Sequence, residues 1–145
     1  MITTPTFAAT FVQAARLLAT HLTEHGLPQP VSLEVISTAH RSRLTAQVHF
    51  VNVPRIAAEL LVWADTLTTV TVQAWRPPSG DRVHLSIASA LRGPAGIMEL
   101  TIFGGADHDP ALLGDLAPGE HRAVTLSDLR TWAADTSHRL TDGEG

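Results

Sequence analysis

The sequence predicts a single α+β domain, a largely antiparallel five-stranded sheet with about three helices packed mainly on one of its faces. Three observations carry this. Apolar residues recur at helical spacing in three stretches, near residues 7–22, 53–67 and 126–133. Between those stretches, five short runs alternate apolar and polar residues, the period of a half-buried strand. Turns rich in glycine, proline and polar residues separate the runs. The predicted order is α-β-β-α-β-β-β-α.

The first helix is predicted over residues 5–25. Thr4 or Thr6 supplies its N-cap, and Phe7, Phe11, Ala14, Leu18 and Leu22 form one stripe. Gly26 offers a left-handed C-cap, and Pro28 and Pro30 prevent continuation. Val31, Leu33 and Val35 then alternate with Ser32 and Glu34, and Leu44, Ala46, Val48 and Phe50 alternate with Thr45, Gln47 and His49. The polar turn His40-Arg41-Ser42 between these runs makes a hairpin.

Asn52 caps a second helix, with Pro54 in its first turn. Val53, Ile56, Ala57, Leu60, Ala64 and Leu67 share one face of it, with Trp63 on the flank. Three more strands follow. Their inward residues are Val70, Val72 and Ala74, then Val83, Leu85 and Ile87, then Met98, Leu100 and Ile102. The turns Pro77-Pro78-Ser79-Gly80-Asp81 and Arg92-Gly93-Pro94-Ala95-Gly96 make these three an antiparallel meander. Gly104–Gly119 reads as irregular, apart from a helical turn at Pro110-Ala111-Leu112-Leu113. A third helix begins near Thr125 or Ser127, and the polar tail 141–145 is expected to fray. In its order of elements the chain is similar to small dimeric secretion-chaperone-like α+β folds, a likeness of fold alone.

Composition narrows the function classes. At 145 residues the chain is one domain, 1–145, with enough surface to bury a core unaided. It has no cysteine, so disulfides, zinc thiolates and thiol catalysis are excluded. All ten basic residues are arginine, which fits a GC-rich coding bias. The net charge is −4 and the arginines are scattered, so no basic stripe for nucleic acid is expected. The start Met1-Ile2-Thr3-Thr4-Pro5 lacks the basic and apolar regions of a signal peptide, and no apolar run is long enough to span a membrane. Cytoplasmic residence, without membrane contact, is the expectation by elimination.

Alternation assigns one sheet face to the helices and leaves the other open. The open face carries Glu34, Thr45, Gln47, His49, Thr69, Thr71, Gln73, Trp75, His84, Ser86, Glu99, Thr101 and Phe103. Two large aromatics among convergent polar groups suit an interface or a ligand site better than bare solvent. The sequence therefore points to a non-enzymatic interaction domain, with a protein partner or a second copy in a homodimer. Gln47, His49, Gln73, Trp75, His84, Glu99 and Phe103 are the candidate contact residues. The alternative is a small-molecule site or enzyme around His49, His84 and Glu99, with imidazoles as acid and base.

No cofactor or metal is expected. His49, His84 and Glu99 would form a two-histidine, one-carboxylate set only if three strands brought them to one point. His21 and His25 lie four apart, but no glutamate follows His21 to make a zinc-peptidase motif. Asp107-His108-Asp109 resembles a fragment of a cation loop without its closing glutamate. Glycine-rich nucleotide loops and a serine-hydrolase elbow are absent from the sequence.

Overall fold

A computed structural model describes residues 7–38, 42–48, 52–78, 80–93 and 96–135. The expected N-cap at Thr4 or Thr6, His49 of the candidate set, and the tail 141–145 lie outside them. Among the described residues the chain forms α1 (Phe7–His25), β1 (Ser32–Ser37), β2 (Ser42–Gln47), α2 (Val53–Ala64), β3 (Thr71–Trp75), β4 (Arg82–Gly93), β5 (Gly96–Asp107), α3 (Pro110–Leu113), β6 (His121–Val124) and α4 (Leu126–Ala133).

The strands form one sheet in the order β1-β2-β5-β4-β3-β6. The β1–β2 hairpin and the β3–β4–β5 meander pair antiparallel, as the alternation and turns predict. The junction between them is parallel, Leu44 to Leu100 and Ala46 to Ile102. Its cause is topological. The chain leaves β2 through α2, and the three-stranded meander then returns β5 to the free side of β2.

The helix ends follow capping chemistry. Asn52 Oδ1 accepts the Arg55 amide (2.9 Å), and Pro54 occupies the first turn, where a missing N–H costs no bond. Thr125 and Asp128 form a reciprocal capping box at α4 (3.0 and 3.1 Å). The α2 stripe was expected to reach Leu67, but the helix stops at Ala64. There the Thr66 amide and hydroxyl both donate to the Trp63 carbonyl (3.0 and 2.7 Å), closing the last turn.

Strand β6 exceeds the predicted count, and the helical turn predicted at Pro110-Ala111-Leu112-Leu113 stands as a short fourth helix. Strand β5 runs on through Gly104 and Gly105 to Asp107, and α3 follows, capped by Asp109 Oδ1. Strand β6 then pairs with β3. It has four residues and one buried apolar side chain, Val124, too little for an alternation to show.

All inward strand positions from β2 to β5 that are buried are apolar or glycine. Leu44, Ala46, Leu85, Ile87, Leu100 and Ile102 pack into one core with Ile56, Leu60 and Trp63 of α2. Each large side chain there contributes roughly 1.5–3 kcal/mol by burial. Helix α2 lies on β4 and β5, α1 on β1 and β2, and α4 on α2. No described helix is long and apolar enough to cross a membrane.

One inward position has no side chain. A Cβ on Gly104 would stand 2.9 Å from Cγ2 of both Ile56 and Val48. Gly104→Ala is therefore expected to overpack the α2–β5 contact and lower stability by about 1–3 kcal/mol. A urea unfolding curve measures this, and an unchanged midpoint would contradict the close seating.

Candidate functional site

Every described helix that touches the sheet lies on the side of its buried apolar residues, so among the described residues no helix covers the opposite side. Cross-strand register fixes what stands on it. Trp75 of β3 lies opposite His84 of β4 on one side and His121 of β6 on the other. His84 lies opposite Gly105 of β5, which offers no ring, so it leans to the diagonal neighbour Phe103. The result is a row of four rings across four strands. Centroid spacings are 5.4 Å from His121 to Trp75, 5.4 Å from Trp75 to His84, and 5.9 Å from His84 to Phe103. These are the spacings of attractive aromatic pairs.

Polar groups frame the row. The Gln73 side-chain amide lies within hydrogen-bond distance of Nδ1 of His121 (2.9 Å). Gln47 stands beside Phe103 in the β2–β5 register and accepts from the Ser32 hydroxyl (3.1 Å). Ser86 lies between Gln73 and Phe103. Trp75, His84 and Phe103 are half-buried, while Gln73 and His121 are exposed.

The structure thus brings Gln47, Gln73, Trp75, His84 and Phe103 into one patch. Glu99 is elsewhere. It pairs with Ala90, six residues along β5 from the Gly105 that faces His84. At about 3.3 Å per residue, that is roughly 20 Å. Glu99 instead meets Arg43 across β2–β5, at 3.8 Å. His84 and Glu99 therefore do not share a reaction centre. His121 is the member that sequence reading missed, because its strand was missed. The signal available was small: His121 and Ala123 alternate with Arg122 and Val124 just after the turn at Gly119.

The other histidine clusters have structural tasks. Nε2 of His21 bonds Thr66 Oγ1 (2.8 Å), and its ring stacks on Trp63 (6.4 Å) and touches His25 (4.5 Å). Asp107 pairs with Arg82 (3.2 Å), and Asp109 caps α3. No group of three His, Asp or Glu side chains suited to a metal ion occurs among the described residues. No family model, curated protein or solved structure matches the chain.

Burial pushes the His84 imidazole below its ordinary value of 6.5, and the nearby Arg82 cation adds to this. His84 thus sits neutral between Trp75 and Phe103 at neutral pH. The folded chain takes up this proton less readily than the unfolded chain. The associated stability is full above pH 6.5 and is lost as pH falls through the folded-state value. An NMR titration should find the His84 midpoint below 6.5, moving upward in Arg82→Gln. His84→Gln should flatten the acid slope of the urea midpoint. A His84 midpoint at or above 6.5 would contradict the ring contacts as the source of its burial.

Proposed function

We propose that this chain is a non-catalytic interaction domain that docks a protein against the bare sheet face. The observation that carries this reading is the row His121–Trp75–His84–Phe103 on a face that no described helix covers. Half-exposed rings set in line offer the large, rigid contact area from which interface anchors are made. The surrounding Gln47, Gln73, Ser86, Thr71 and Thr101 can bond a partner's backbone without fixing its charge.

The charges at the margins support a protein over a polyanion. Arg43 faces Glu99 and Arg82 faces Asp107, so these two arginines are matched by carboxylates. Phosphate backbones are held by unmatched basic side chains. Small-molecule sites, in turn, are concave and enclose most of their ligand. A row of rings standing on the face of an open sheet fits a broad partner better.

Photo-crosslinking tests the reading. A photoreactive residue replaces Gln73 on the ring face, or Val62 on α2 as a control, in the chain expressed in its own host. The expected result is a discrete protein adduct from position 73 that far exceeds any from position 62. Trp75→Ala combined with Phe103→Ala should remove it, because anchor losses of this kind cost about 2 kcal/mol or more each. Mass spectrometry identifies the adduct as another protein or a second copy. Equal yields at both positions, or a yield unmoved by the double variant, would overturn the proposal.

A further inference from the structure

Exposed apolar surface is concentrated at one margin of the molecule, away from the ring row. Seven large hydrophobic side chains are exposed among the described residues. Five of them lie on α1 or in and beside β1: Phe11 (40%), Val12 (47%), Val31 (48%), Leu33 (46%) and Ile36 (46%). Helix α1 packs on β1, which places Leu33 at the helix-bearing side of this margin and Ile36 at its bare side.

That margin includes an open sheet edge. Among the described residues, strand β1 ends the sheet and pairs with β2 alone. The other terminal strand, β6, is four residues long and carries His121 and Arg122. Shortness and charge are the usual devices that blunt an edge against further pairing. Strand β1 uses neither to the same degree. It has six residues, a single charge at Glu34, and no proline.

We infer that β1 pairs antiparallel with β1 of a second copy, about a two-fold axis at Leu33, joining two sheets into one. The side chains select both the occupant and the register. A two-fold axis perpendicular to the sheet keeps the helices of both copies on the same side. With the axis at Leu33, Leu33 meets its own copy on the helix-bearing side, and Val35 comes opposite the approach to the strand at Val31. Ser32 meets Glu34 on the bare side. Apolar groups meet apolar groups, and the two carboxylates stand apart.

The neighbouring registers do worse. An axis at Glu34 sets two carboxylates directly opposite, which is destabilising. An axis at Val35 sets Leu33 against Ser37 and Glu34 against Ile36, mismatching both faces. Of these three registers, the one at Leu33 is the self-complementary one. Such a contact closes on itself and stops at two copies, since each copy has one unblunted edge. The pairing brings the two α1 helices to the same side of the junction. It also extends the bare face across both copies, so that one surface carries two ring rows. The inference uses a different surface from the proposed docking face and does not rest on it.

Light scattering on the full chain, with two kinds of variant, tests this. The wild-type chain should scatter at twice its 15.5 kDa mass at tens of micromolar. Leu33→Lys should scatter as a monomer with an unchanged far-UV dichroism spectrum, and Trp75→Ala should remain dimeric. Since the chain has no cysteine, Leu33→Cys supplies an independent readout of register. Paired residues on the axis lie within disulfide reach, so mild oxidation should join most of its chains, whereas Ser37→Cys should stay unlinked. A monomeric wild-type chain would overturn the inference. So would a dimer whose Leu33→Cys variant fails to cross-link, or one that dissociates in Trp75→Ala and not in Leu33→Lys.

Discussion

The seating of Ile56 and Val48 against Gly104 is the contact on which the rest of the arrangement depends. It lets α2 lie directly on β5, near the middle of the sheet. With α2 there, α4 packs on α2 and α1 takes the β1–β2 end, so the helices collect on one side. The other side is then left bare by geometry, whatever its residues are. The neighbouring Gly105 has the complementary effect. It faces the bare side opposite His84 and leaves that imidazole to find its ring neighbours in Trp75 and Phe103. Two adjacent glycines with opposite orientations thus set the helix contact and the ring row together.

Much of this was legible in the residues. Period-two alternation put Gln73, Trp75, His84 and Phe103 on one face because each lies in a strand with an unbroken apolar partner row. Val72 and Ala74, Val83, Leu85 and Ile87, and Leu100 and Ile102 are such rows, and all seven are buried. The capping residues were equally plain, since Asn52 and the Thr125–Asp128 pair act within three residues of themselves. What was not legible is what depends on pairing between distant segments. Alternation says that His84 and Glu99 share a face, yet only the β4–β5 register says that they lie far apart along it. It is also silent on strand order, so the parallel β2–β5 junction had no signal. Strand β6 escaped for a different reason. Its pairing with β3 is established by backbone hydrogen bonds and by Val124 alone, and its sequence shows little of either.

The two surfaces differ in their physics, and the difference bears on what each can recognise. The ring row offers stacked faces and amide groups whose bonds are partly made inside the chain, as between Gln73 and His121. A partner there gains mostly from covering rings, and must match an already ordered arrangement. The β1 edge has no neighbouring strand among the described residues and lies beside exposed aliphatic side chains. A partner there gains from extending a hydrogen-bond ladder, and register decides whether its side chains fit.

Charge contributes little to either surface. The Arg43–Glu99 and Arg82–Asp107 pairs at the margins are solvent-exposed, and pairs of that kind are worth at most about 1 kcal/mol each. His84, between the rings, is held in its neutral form by burial and by Arg82. His84 therefore adds no charge to the row at neutral pH, and the proposed docking would rest on shape and desolvation. That also explains why the acid side of neutrality is the sensitive one. A proton on His84 would place a cation between Trp75 and Phe103 in a site whose burial already disfavours it, close to Arg82. The contact of Trp75 and Phe103 with His84 is therefore held together by the neutrality of that imidazole as much as by packing.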